Sequence, residues 1–137
     1  MFIKSFIFSV ALIGLAACQS SGGTQIQSTE IQGVWNIETI IDRPVIDYSP
    51  AQLIFAEEGK FTGNNSCNNF FGNYSINEGN VRLMIIGNTM KACVDALMEQ
   101  EQRVMSTIPE VTSASMSQGK LLLKDAKGNT QLMLSKG

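Results

Sequence analysis

Residues 61–74 read Phe61-Thr62-Gly63-Asn64-Asn65-Ser66-Cys67-Asn68-Asn69-Phe70-Phe71-Gly72-Asn73-Tyr74, with aromatic residues at both ends and asparagine, serine, glycine and one cysteine between them. Asparagine side chains bond to nearby backbone and tolerate left-handed conformations, so the middle of this stretch reads as a turn. A strand over 61–65 enters the turn, and Phe70, Phe71 and Tyr74 are expected to fill a core beside it. This is the signature of a hairpin in a mostly antiparallel protein.

The pattern continues outward in both directions. Upstream, Trp35, Ile37 and Ile41 recur at period two along a strand over 34–41, and Leu53 and Phe55 share one side of a strand over 51–56. Downstream, strands over 73–77 and 80–86 flank the turn Glu78-Gly79, with Val81, Leu83 and Ile85 alternating against Arg82, Met84 and Ile86. Three short runs near the C-terminus, 111–116, 120–124 and 131–135, are separated by Gln118-Gly119 and Lys127-Gly128-Asn129. Only one segment repeats with helical period: Val94, Leu97, Met98, Val104, Met105 and Ile108 form a stripe over 94–108 that stops at Pro109. The expected fold class is therefore α+β, mainly β: about eight short antiparallel strands curled into a barrel-like sheet, with one amphipathic helix packed on it.

The N-terminus reads as a targeting signal. Lys4 precedes the mostly apolar residues 5–17, a run too short against the roughly 20 residues of a permanent transmembrane helix. Leu15-Ala16-Ala17-Cys18 then Gln19-Ser20-Ser21 resembles the bacterial lipobox, in which the cysteine is acylated and becomes the first mature residue. Residues 1–17 are accordingly read as a lipoprotein signal peptide, 18–32 as a lipidated flexible tether rich in Ser, Gly, Thr and Gln, and 33–137 as the folded domain. With Cys18 assigned to lipid, Cys67 and Cys93 remain as an even pair in an exported protein. On compartment grounds the simplest state is a disulfide, worth roughly 3 to 4 kcal/mol by loop-closure entropy. Two free thiols, or half of a redox or metal site, are the alternatives.

Composition narrows the chemistry. The chain of 137 residues has no histidine, which removes Ser-His-Asp and Cys-His arrangements and the commonest zinc ligand. Ten Lys and Arg against twelve Asp and Glu give a net charge of -2, with no basic excess to neutralise phosphates, so no nucleic-acid partner is expected. Glu57 and Glu58, or Glu99 and Glu101, lie too close in sequence to face each other as a catalytic carboxylate pair. Met98 and Met105 share a helical face and read as core filling rather than as a copper(I) site. No catalytic residue, metal ligand or cofactor is assigned, and no enzyme activity is expected.

Taken together, Gly33-Val34-Trp35 opening a strand, the spacing Gly-x-x-x-Cys-Asn-x-Phe-x-Gly-x-Tyr from Gly63 to Tyr74, Asn88-Thr89-Met90-Lys91-Ala92-Cys93, and a helix carrying Glu99 and Glu101 resemble the META domain of the HslJ-like bacterial lipoproteins. The family often has a second small residue before the cysteine, where this chain has Asn64-Asn65-Ser66. The resemblance implies a small β-rich domain, frequent on envelope lipoproteins, associated with heat-shock or stress phenotypes and without an established catalytic activity.

The expected function is thus a non-enzymatic lipoprotein supporting cell-envelope integrity or stress tolerance. It would be anchored through Cys18, with the outer membrane facing the periplasm as its place and an envelope protein or peptidoglycan as its contact. The alternative is a carrier or inhibitor module holding a small apolar ligand or a peptide in the mouth of the sheet. Asn64, Asn65, Asn68 and Asn69 form the candidate recognition loop, against the reading of the same residues as a disulfide-tethered turn.

Overall fold

Alternation of apolar and polar residues builds nine strands in this computed structural model, which describes residues 26–137, with Gly14 alone before them. They are β1 (Gly33–Ile40), β2 (Arg43–Pro44), β3 (Ala51–Phe55), β4 (Lys60–Asn64), β5 (Asn69–Asn77), β6 (Asn80–Asn88), β7 (Ser113–Ser117), β8 (Lys120–Lys124) and β9 (Thr130–Lys136). A short helix α1 (Ser28–Ile31) precedes them and α2 (Asp95–Thr107) lies between β6 and β7. Every strand pair is antiparallel, and β9 returns to pair with β1, closing the sheet into a ring with β2 as a short flap on β1. Closure leaves β1, β3, β4, β5, β8 and β9 paired on both sides, while β6 meets β7 only at Asn80 and Ser113.

Two hairpins turn at the expected dipeptides. Glu78-Gly79 and Gln118-Gly119 both take positive φ at each residue, the primed-turn geometry whose twist matches two paired strands. One side chain of each strand pair points inward, where Trp35, Leu53, Phe55, Phe61, Phe70, Leu121, Leu123, Leu132 and Leu134 fill the ring. Phe55 meets Tyr74 edge to face with centroids 5.1 Å apart, and Phe61 meets Phe70 at 6.2 Å. Both ends are closed. At one end Ile26 and Ile31 are buried and the Trp35 indole N–H donates to the Ile31 carbonyl at 2.7 Å. At the other, α2 presents Val104 to the core, followed by Ile108 in the 3-10 turn Ile108–Glu110.

Five sequence expectations need correction. The fold takes in residues ahead of Gly33: Ile26 and Ile31, the two isoleucines of the segment read as a tether, are buried, one before and one at the end of the single helical turn of α1. In β1 an extra residue at Glu38 interrupts the pairing with β9, so the alternation slips: Ile40 is buried, while Ile41 leaves the strand with φ of 46° and is 49% exposed. Strand β5 starts at Asn69, not at residue 73, since its first half pairs with β4 as well as β6. Phe71, expected in the core, sits at the opposite parity from Phe70 and faces out. Within the helical stripe, Val94 lies outside α2 and is exposed, whereas Gln100 takes a buried place on α2. The proposed signal peptide, Cys18 and the tether before residue 26 lie outside the described residues.

The Glu38 bulge also places that carboxylate against the Lys120 ammonium of β8. Lys120, aided by a Ser135 hydrogen bond, holds the Glu38 carboxyl below the usual carboxylate range. A depressed value means stability present above the unfolded-state pKa and lost as pH falls through the folded-state one. Both side chains are about a third exposed, so the effect is small, below about 1 kcal/mol. Lys120→Met is expected to flatten the stability curve measured by urea unfolding between about pH 5 and pH 3. An unchanged acid limb would contradict the pairing.

Candidate functional site

The turn between β4 and β5 is built by its own amides. The Asn64 carboxamide oxygen accepts from the Ser66 N–H at 2.8 Å, and the Asn65 oxygen accepts from the N–H groups of Cys67 and Asn68 at 3.1 and 2.7 Å. These local bonds hold Ser66 at φ 84°, a left-handed residue that the polar turn sequence supports. Cys67 is joined to Cys93 with Cα atoms 5.9 Å apart, which ties the turn to the start of α2. The Met98 sulfur lies 3.8 Å from Cys67 Sγ, filling the space beside the bridge.

Asn68 binds two further segments at once. Its oxygen accepts from the Lys91 N–H at 2.7 Å and the Thr89 hydroxyl at 2.9 Å, while its NH2 donates to the Lys91 carbonyl at 3.1 Å and to Glu101 Oε1 at 2.9 Å. Asn65 also donates to Glu101 at 3.3 Å. One residue before Glu101 on α2, the Gln100 oxygen accepts from the Ile46 N–H at 2.8 Å, and its NH2 donates to the Ser49 carbonyl and the Ser66 hydroxyl. Asn65, Asn68 and Gln100 are all fully or almost fully buried, and no buried side-chain polar atom among the described residues lacks a partner. A buried amide network satisfied in this way specifies one arrangement of its segments.

The four asparagines of the candidate recognition loop therefore divide. Asn65 and Asn68 are structural, facing inward with their hydrogen-bonding capacity engaged by the turn, α2 and residues 89–91. Asn64 and Asn69 stay at the surface, opposite each other across β4 and β5, with Asn64 Nδ2 donating to Asn69 Oδ1 at 2.7 Å. The helix carboxylates diverge as well: Glu99 makes an exposed ion pair with Arg43 at 3.4 Å, while Glu101 serves the buried amides. Among the described residues no group of three His, Cys, Asp or Glu side chains is arranged to hold a metal ion.

Two of the three other titration shifts, those of Tyr74 and Asp125, belong to structure. Burial raises the Tyr74 hydroxyl above its ordinary value, and that hydroxyl donates to the Ala56 carbonyl at 2.6 Å. The Asn129 N–H, followed by that of Lys127, holds the Asp125 carboxyl low within the turn before β9. Neither group lines a cleft with a second titratable partner, the arrangement expected of an acid–base pair.

On the outer wall of the ring, β3, β4, β5 and the end of β6 enclose a groove of about 730 Å³. Ile54, Thr62 and Phe71 form a row across it, set by the registers Ile54 to Thr62 and Thr62 to Phe71. The Phe71 ring is 53% exposed and rests over Gly87, where a Cβ would come within 2.7 Å of the ring. Gln52, Asn64, Asn69, Asn88 and Thr89 surround that row, and the lining has no ionisable side chain. The signal in the sequence for this groove is the outward parity of Phe71 and Ile54, which is visible only once the registers are known.

A family model for the META domain matches residues 26–137. No curated protein matches the chain. Among solved structures, the chain is similar to a protein from Burkholderia xenovorans solved by NMR, with a TM-score of 0.65 and 17% identity over 98% of this chain and 99% of that one. A second NMR structure matches with a TM-score of 0.62 and 22% identity, covering 81% and 95% of the two chains. A crystal structure of a DUF4847 family protein from Bacteroides vulgatus matches with a TM-score of 0.59 and 12% identity, covering 77% and 93%. These likenesses extend to the fold, a ring of antiparallel strands with one long helix. The family match begins at Ile26, itself buried, and takes in the Cys67–Asn68 turn, its disulfide partner and α2. The chain belongs to the META domain family.

Proposed function

We propose that this chain is a non-enzymatic envelope lipoprotein, anchored through lipid on Cys18, that supports cell-envelope integrity or stress tolerance by contacts made on the outer wall of its ring. The observation that carries this reading is the distribution of apolar side chains. The interior is filled and both ends are closed, while Ile54, Phe71, Met84 and Ile86 sit on the outer wall of β3, β5 and β6. A carrier holding an apolar ligand in the mouth of the sheet would need room inside, and the packed interior weighs against it. Glu99 and Glu101 of α2 are engaged in an ion pair and in amide bonds rather than converging on a cleft, which supports a binding role over catalysis.

Anchoring is separately testable. Two or more acyl chains hold a protein stably at a bilayer, whereas a single chain gives marginal binding. Gln19 after the cysteine, where aspartate would favour retention at the inner membrane, supports the periplasmic face of the outer membrane. Cys18→Ala is expected to move the protein from the membrane to the soluble fraction with its melting temperature unchanged. Persistence of that variant in detergent-free washed membranes would contradict the anchor.

A further inference from the structure

The outer-wall groove combines three features that no other surface of the described residues brings together: an exposed aromatic ring, a rim of neutral amides and hydroxyls, and no ionisable lining residue. Its volume of about 730 Å³ falls within the roughly 300–1,000 Å³ of small-molecule sites. We propose that this groove binds a neutral oligosaccharide, with one sugar ring stacked on Phe71 and its hydroxyls bonded to the amide rim. This inference rests on the binding-module reading above and names its ligand class.

The chemistry follows from what each side chain still offers. Asn64 Nδ2 is engaged with Asn69 Oδ1, Gln52 Nε2 with Asn36 Oδ1 at 2.8 Å, and Asn88 Nδ2 with the Thr89 carbonyl at 2.9 Å. Those bonds fix the three amides in orientation. They leave the Asn69 NH2 as a donor, the Gln52 and Asn88 oxygens as acceptors, and the Thr62 hydroxyl as either, with no bond to another side chain among the described residues. Sugar hydroxyls are both donors and acceptors, so they match a mixed neutral rim.

The aromatic ring selects further. The C–H face of a pyranose is apolar and slightly positive, complementary to the negative face of the Phe71 ring. Gly87 lets the tip of the ring approach the wall where a Cβ would stand, and Ile54, across Thr62, continues the apolar floor. A charged phosphate, carboxylate or ammonium would meet no counter-charge in this lining and would lose hydration on entry. An extended peptide gains most of its affinity from an open strand edge, and β3, β4 and β5, which form the floor of the groove, are each paired on both sides.

The test is calorimetric titration of the full lipidated chain, in a detergent without sugar, with cellotetraose, tetra-N-acetylchitotetraose and maltotetraose. Saturable binding of at least one is expected, weakened roughly tenfold by Phe71→Ala. Thr62→Arg, which puts a long charged side chain in the middle of the row without touching the core, is expected to abolish it. Met116→Ala, exposed on β7 away from the groove, serves as the unchanged control. Melting temperatures of the variants separate lost binding from lost fold. Preference for the chitotetraose would assign an N-acetylated hexosamine chain, and preference for cellotetraose or maltotetraose an unsubstituted glucan. No binding of any of the three, binding indifferent to both groove substitutions, or displacement by an acidic peptide or anionic vesicle would overturn the inference. If the sugars fail while the anchored protein still contacts an envelope component through this wall, the binding-module reading stands and the glycan inference alone falls.

Discussion

Replacing both Cys67 and Cys93 by Ala is expected to lower the unfolding free energy by about 3 to 4 kcal/mol, since the bridge closes a loop with a sequence separation of 26. For a domain of this size that corresponds to a drop on the order of 15 °C in melting temperature. The effect should be large because the bridge is not a surface clip. It links the β4–β5 turn to the entry of α2, and α2 closes one end of the ring. Urea unfolding of the oxidised protein and the double variant gives the number directly. Alkylation under denaturing, non-reducing conditions should find neither cysteine free. A variant as stable as the parent, or two reactive thiols in the parent, would contradict the fastening role.

The second large effect is expected at Asn68. Changing Asn68 to Leu keeps the volume but strips the partner from the Lys91 N–H and carbonyl, the Thr89 hydroxyl and one hydrogen bond to Glu101. Each buried group left unsatisfied costs about 1–3 kcal/mol, with water restoring some, so a loss of about 3 kcal/mol is expected. Asn68→Asp retains the acceptor, loses the donors and sets a second carboxylate against Glu101. Its deficit should therefore shrink as pH falls into the carboxylate range, where one of the pair takes up a proton. Thermal unfolding at pH 7 and pH 4 distinguishes the two. A neutral Asn68→Leu would return this residue to the role of a surface recognition amide.

How much of this was legible in the sequence depended on whether the information was local. Strand alternation at Leu53 and Phe55, Val81 and Leu83, and the leucine pairs of β8 and β9 needed only period two, and the buried faces follow it. The hairpin dipeptides at 78–79 and 118–119 were equally local. Ile41 was misplaced because the bulge at Glu38 is set by register against β9, nearly a hundred residues away, and nothing near Glu38 announces it. Phe71 failed for a related reason. Two adjacent aromatics cannot share a face of one strand, and only the pairing of β5 with β4 decides which one goes in.

Polar residues were the hardest to place. Gln100 looks like any solvated helix position until Ile46, Ser49 and Ser66 are brought around it. Asn65 and Asn68 carry the composition of a recognition loop, and the same composition serves a buried turn when α2 supplies a carboxylate. The half-buried Asn64 and the exposed Asn69, by contrast, fall on the groove with Phe71, so part of the loop does face outward as a binding surface would.

Recognition on the outer wall, by a protein whose interior is filled, is most directly tested by photo-crosslinking in intact cells. A photoreactive side chain is placed at Thr62 in the groove or at Met116 on β7, in the full-length protein. The account predicts a specific adduct with an envelope component from Thr62 and none from Met116, with the Thr62 adduct lost when Cys18→Ala releases the protein from the membrane. Adducts from Met116 and none from Thr62, or a Thr62 adduct untouched by Cys18→Ala, would contradict it.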